Sequence, residues 1–226
     1  MSAPRRYRNI ADLPPVIPIF PLSGVVLLPR TRLPLNIFEP RYLAMIDVAM
    51  DQSRVIGMIQ PRDAAEEKSK HPALAQVGCV GRITEYSETD DGPHGRYLIT
   101  LTGLARFHVA NERSVSTPFR QVTADYALFA ADLLSTDDPP ISRDRLLSAL
   151  KPYLSARAME TDWKSIEDAP AETLVNALSM LCPFAAGEKQ ALLEAPGLKE
   201  RADVLIALLE LANASATPAG GSPSIN

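Results

Sequence analysis

Hydrophobic positions cluster first in residues 14–50, PPVIPIFPLSGVVLLPRTRLPLNIFEPRYLAMIDVAM. Seven prolines punctuate residues 14–40. Each removes a donor and fixes φ, so the stretch is neither one helix nor one central strand. Its density of Val, Ile, Leu and Phe nonetheless demands burial. The pattern predicts short extended pieces at 16–20, 25–28 and 33–37, with a turn at Leu22, Ser23 and Gly24. Such pieces border a sheet, bend at the prolines and close a small barrel. After Glu39 the period changes. Pro40 suits the first turn of a helix. Tyr42, Leu43, Ile46, Ala49 and Met50 recur at three- and four-residue spacing, while Asp47 and Asp51 take the other face.

The apolar run VIGMIQ at 55–60, stopped by Pro61, predicts a buried strand, and the charged stretch 62–72 a loop. Residues 77–86 and 96–101 flank SETDDGPHG, a hairpin tip longer than the two-residue type. Gly78 and Gly81 in the first arm mark a bulge or a tight barrel corner. Thr102 and Gly103 turn the chain into a further strand at 104–109, and 121–129 alternates as another. That makes six or seven strands around one inserted helix.

Past Asp137, Asp138, Pro139 and Pro140 the composition shifts to helix. Ser142 caps a helix carrying Leu146, Leu147, Leu150, Tyr153 and Leu154. Asp168, Pro170 and Glu172 start a second, bearing Leu174, Val175, Leu178 and Leu181 and ended by Cys182 and Pro183. A third covers 187–194. The last, 198–211, buries Leu198, Ala202, Leu205, Ile206 and Leu209. Short connections predict antiparallel packing. The chain is expected to be α+β: a flexible lead-in at 1–13, a β-rich barrel at 14–138, a helical bundle at 139–213 and a disordered tail at 214–226.

Composition narrows the classes. A net charge of −4 gives no overall case for nucleic acid. Residues 1–41 hold six arginines against Asp12 and Glu39, whereas 42–140 hold nine basic and fourteen acidic residues. Two cysteines, Cys79 and Cys182, lie far apart with no C-x-x-C, which fits buried reduced thiols in a cytoplasmic protein better than one disulfide. Prolines interrupt every run that would make a secretory leader or a membrane span.

Catalytic chemistry finds little support. No Gly-Lys pair occurs, so the phosphate-cradling loop of an ATPase is absent; Gly187, Glu188 and Lys189 lack the earlier glycine and the hydroxyl. No Gly-x-Ser-x-Gly turn occurs. His71 and His94 fall in loops and His108 in a strand, with no His/Cys cluster at ligand spacing. No catalytic residue, metal or cofactor is expected. Glu39 is expected to cap the helix that follows it, with Arg41 pairing across to the barrel.

The runs IPIFPLSGVVLLP and LPLNIFEPRYLAMI, then VIGMIQP, VGCVGRITEY and GRYLITLTGLARFHV in that order, resemble the N-terminal substrate-binding domain of bacterial Lon proteases over about residues 15–213. The resemblance implies a PUA-like pseudo-barrel followed by helices. It also implies a free-standing, non-enzymatic binding or adaptor protein for unfolded or degron-bearing polypeptide, or for a protein partner such as a protease system. The peptide is expected at the exposed edge over 28–38, by strand addition, with Leu28, Arg30, Arg32, Leu33, Phe38 and Arg41 as contacts. The competing reading is an RNA-binding PUA-like module. A pI of 5.5 and the lack of an aromatic-plus-basic cluster weigh against it.

Overall fold

The computed structural model describes residues 7–63, 71–89, 96–134 and 140–216. The chain divides into two units, one of Met1–Thr136 with Pro183–Leu193 and one of Asp137–Cys182 with Glu194–Asn226.

The first unit holds strands β1 (Val16–Pro21), β2 (Arg32–Ile37), β3 (Val55–Ile59), β4 (Val77–Thr89), β5 (Arg96–Arg113) and β6 (Gln121–Asp125), with helix α1 (Pro40–Asp51) inserted after β2. Neighbours run β2-β5-β4-β3-β1-β6, and β6 also pairs back onto β5. Five strands therefore close on themselves, and β2 hangs from the first half of β5 as an edge strand. Only the β1–β3 pair is parallel among these ladders. This is a PUA-like pseudo-barrel. Closure depends on the length of β5, whose 18 residues pair with β2 through Tyr97–Thr102 and with β6 from His108 onward. Register shifts at Val80/Gly81, Ile83/Glu85 and Val109/Asn111 supply the bends.

The barrel core is built from alternating strand positions, among them Ile17, Ile19, Val55, Ile59, Val80, Ala105, Val122 and Ala124 around Phe107. The Phe107 ring fits because Gly78 has no side chain: a Cβ there would lie 2.6 Å from the ring. Burying a ring of this size contributes about 2–3 kcal/mol.

Several elements differ from those expected. Thr102 and Gly103 do not turn the chain; β5 runs straight through them. Glycine is required there because the segment after β1 crosses on top of it: Arg30 N donates to the Gly103 carbonyl and Gly103 N to the Thr31 carbonyl, each at 2.9 Å. A Cβ at Gly103 would lie 2.0 Å from the Leu28 carbonyl oxygen. Residues 25–28 form no strand. Val26, Leu27 and Leu28 are buried as an extended loop across the barrel wall at Gly81 and Gly103. The strand expected over 121–129 stops at Asp125, and Ala127–Leu133 winds into a 3-10 stretch. Residues 7–13 are anchored and not a flexible lead-in. The Tyr7 hydroxyl donates to the Ser53 carbonyl at 2.7 Å, Ile10–Asp12 forms a 3-10 turn, and Leu13 is buried. The expected hairpin tip and the charged loop fall largely on 90–95 and 64–70, outside the described residues.

Beyond residue 140 the helices are α2 (Arg143–Ala156), α3 (Trp163–Asp168), α4 (Ala171–Leu181), α5 (Ala186–Glu194) and α6 (Leu198–Ala216). The short α3 was not expected. Ser142 precedes α2 but makes no side-chain cap bond. In the second unit α6 packs against α2 and α4. Its stripe Ala202, Leu205, Ile206 and Leu209 is buried. Asn213 donates to the Ala149 carbonyl at 2.8 Å, Arg201 to Asn176 Oδ1 at 2.9 Å, and Arg145 pairs with Glu210. Residues 214–216, expected in a disordered tail, are the last turn of α6; 217–226 lie outside the described residues.

The third expected bundle helix, α5, groups with the barrel. Polar contacts pin it there. Gln60 Nε2 donates to the Ala186 carbonyl and to Gln190 Oε1, each at 3.0 Å, and Gln190 Nε2 donates to the Val77 carbonyl at 3.0 Å. At its other end the Leu193 carbonyl accepts from Arg106 Nη1 at 3.2 Å.

Candidate functional site: a ring- and proline-lined cleft beside the edge strand

Where β1 ends and β2 runs into α1, the barrel opens a cleft of about 500 Å³. Proline sets its shape. Pro21 ends β1, Pro61 follows β3, and Pro72 and Pro118 lie in the walls opposite. None of these nitrogens can donate to a ladder, so the strands stop at the rim and leave side chains facing the gap. Four phenylalanine and tyrosine rings line it, Phe20, Phe38, Tyr42 and Phe119, with the His71 imidazole beside them. Phe20 and Tyr42 are buried with ring centroids 4.3 Å apart at 50°. Phe119 is buried, whereas Phe38 is 59% exposed. Burial raises the Tyr42 hydroxyl above the usual tyrosine value, against the pull of Arg41.

The charged groups of the rim are compensated within the protein. Arg41 donates to Glu39 Oε2 through Nε at 2.9 Å, and its guanidinium sits 4.5 Å from the Tyr42 ring centroid. Arg41 therefore closes on its own neighbour and does not reach across to the barrel, and Glu39 makes no side-chain cap bond. Arg120 grips Glu112 through Nε at 2.6 Å and Nη2 at 2.7 Å, while Nη1 donates to the Pro72 carbonyl at 2.9 Å. The Arg120 hydrogen bonds hold the Glu112 carboxyl below its ordinary range.

The structure scatters the expected contact residues. Phe38 and Arg41 line the cleft. Leu28 is fully buried and is a core residue, with no surface for a peptide to touch. Arg30, with φ of 63°, donates to the Asp132 carbonyl. Arg32 pairs with Glu85, and Leu33 is half-buried on β2. Phe20, Tyr42, Phe119 and Arg120 were missed. Their signal was the aromatic-next-to-proline pairs Phe20-Pro21 and Pro118-Phe119, which mark ring-bearing strand ends. Of the three histidines, His71 lines the cleft, His108 is half-buried on β5, and His94 lies outside the described residues. No described helix is long and apolar enough to cross a membrane.

A pseudo-barrel with one helix inserted after its edge strand, carrying an open cleft of rings and prolines beside that strand, defines the class. The chain belongs to the ATP-dependent protease La (LON) substrate-binding domain family, whose model matches residues 16–210. It is 29% identical over 215 residues to Lon protease 2 of Myxococcus xanthus, covering 92% of this chain and 25% of that protein. It is 35% identical over 101 residues to the Lon protease of Anaeromyxobacter dehalogenans, covering 45% of this chain and 12% of that one. The chain thus spans about a quarter or less of the length of these relatives. Two solved structures share the fold. The Lon N-terminal domain protein from Xanthomonas campestris superposes with a TM-score of 0.60 at 21% identity, over 85% of this chain and 97% of that one. The N-terminal domain of Mycobacterium avium complex Lon protease gives 0.59 at 15% identity, over 86% and 97%.

Proposed function

We propose that this protein is a non-catalytic binding module that captures unfolded or degron-bearing polypeptide in the cleft beside β2, for a protease system acting with it. The observation that carries the reading is the cleft itself: rings and prolines with arginines already paired, on the barrel of a substrate-binding family. Such a wall gains from apolar side chains leaving water and offers them little competing charge. Phe38, large, apolar and mostly exposed, is the contact most available to a ligand. Side-chain insertion is the mode, not addition of a strand to β2. Pro34 removes a donor from the middle of that strand, the device by which edge strands are kept from pairing. The buried thiols of Cys79 and Cys182, which are not joined in a disulfide, support a reducing, cytoplasmic setting.

Fluorescence anisotropy with a labelled, permanently unfolded polypeptide tests this. Phe38→Ala is expected to weaken binding about tenfold, the effect of truncating an interface anchor. Binding that ignores Phe38, or a preference for single-stranded RNA over polypeptide, overturns it.

A further inference from the structure

The outer face of the β2–β5–β4 sheet carries a second concavity, of about 520 Å³. Strand register builds it. Asn36 stands opposite Leu98, which stands opposite Ser87; one rung along, Pro34 stands opposite Thr100, opposite Glu85. Side chains on adjacent strands at paired positions share a face, so these six make one patch. Leu98 at its centre is 45% exposed, unusual for leucine in a strand.

We infer that the polypeptide held in the cleft continues past β2 onto this outer face, which forms a second subsite for an uncharged flank of the same segment. The inference rests on the cleft reading above. Continuity is the first ground: Leu35 and Asn36 contribute to the walls of both concavities. Their side chains alternate across the strand, so a segment leaving one site at β2 meets the other directly. Charge is the second. Arg32 pairs with Glu85, and the Thr100 hydroxyl donates to Glu85 Oε2 at 2.6 Å. Glu85, the one charged side chain among the six, is compensated by these two bonds. Over these six residues a charged flank finds no uncompensated partner, whereas the Asn36 amide and the Ser87 hydroxyl offer donors and acceptors to a neutral polar one. Leu98 supplies the apolar floor for its methylene groups.

Anisotropy with four labelled peptides tests this on the full chain: a six-residue apolar peptide, and the same peptide extended by six Ser/Asn, six Asp or six Lys residues. The Ser/Asn extension is expected to tighten binding about tenfold over the short peptide, as a linked second contact does. The Asp and Lys extensions are expected to add little. Leu98→Ser and, independently, Ser87→Lys are expected to erase the gain while leaving short-peptide affinity and the thermal melt unchanged. Phe38→Ala weakens all four peptides. No gain from the Ser/Asn extension, or a gain that survives both outer-face variants, overturns the second subsite while the cleft reading stands. A short peptide that fails to bind overturns the cleft reading and this one with it. Loss of a concentration-dependent dimer in Leu98→Ser, with no gain from extension, assigns the face to a second copy of the chain and overturns the inference.

Discussion

Asp132 and Arg106 close a buried clasp: the carboxylate accepts from the Arg106 backbone N at 2.9 Å, from Nε at 2.9 Å and from Nη2 at 2.8 Å. Both side chains are almost wholly removed from water. The Phe129 ring lies 4.6 Å from the guanidinium. The clasp fastens the 3-10 stretch after β6 to the middle of β5, and Arg106 Nη1 donates to the Leu193 carbonyl on α5.

Removing one partner leaves the other charged and buried. Asp132→Ala or Arg106→Met is expected to lower unfolding free energy by about 3–5 kcal/mol, while the pair Arg106→Met with Asp132→Leu recovers most of it. Urea unfolding followed by circular dichroism reads this directly. Equal costs for the single and double variants would show that shape, not stranded charge, sets the penalty.

Two glycines that look alike in sequence should behave oppositely. A Cβ at Gly103 collides with the Leu28 carbonyl, a backbone atom that cannot swing aside, whereas nothing lies within 4 Å of a Cβ at Gly187. Gly103→Ala is expected to cost about 3 kcal/mol or more by forcing the 25–31 segment off β5. Gly187→Ala, in the first turn of α5, should be neutral or stabilise by up to about 1 kcal/mol. Paired thermal melts decide between them.

The contrast at Gly103 shows what the sequence could and could not convey. An unbroken apolar run located β3, the turn-rich tip at its end located β4, and 3.6-residue spacing located α1 and α6, because these signals are written into neighbouring positions. What failed were features set by residues distant in the chain. The turn composition of Thr102 and Gly103 reflects a crossing by residues 28–31. Val26, Leu27 and Leu28 are buried with no ladder partner. Helix α5 is held to the barrel by Gln60, Gln190 and Arg106, polar residues whose pairing no periodicity encodes. The cleft is half legible: the stretch 28–41 holds Phe38 and Arg41, but Phe119 and Arg120 come from the segment entering β6, about eighty residues later in the chain and paired with β1.

The same long-range polar contacts yield a dynamic prediction. Gln60 accepts from Gly24 N at 2.9 Å while donating to Ala186 and Gln190, so one amide joins three segments. Gln60→Ala strands these buried groups at a cost of about 1–3 kcal/mol. Hydrogen exchange is expected to quicken in α5 and at Gly24 and to stay unchanged in α2 and α6. Uniform quickening across the chain would mean that α5 has no separate opening step.

The last prediction concerns acid. Glu112 lies on β5 and Arg120 in the cleft wall, and their two-bond pairing depresses the Glu112 carboxyl. A group whose folded value is lowered contributes stability that is fully present above its unfolded value and is lost as pH falls through the folded one. At neutral pH the partly exposed pair should therefore contribute about 0.5–1 kcal/mol, and this should be lost on acidification as pH falls from the unfolded glutamate value of about 4.3 through the lower folded one. Wild type is expected to exceed Glu112→Gln in stability at pH 7 and to converge with it near pH 3. The cleft should follow, because Arg120 also holds the Pro72 carbonyl: once Glu112 is protonated its guanidinium loses the partner that aims it, and the wall formed by Pro72 loosens. Peptide affinity measured across the same range should fall in wild type and remain flat in Glu112→Gln. A wild-type affinity that holds steady to pH 3 would show that the wall keeps its shape without the pair.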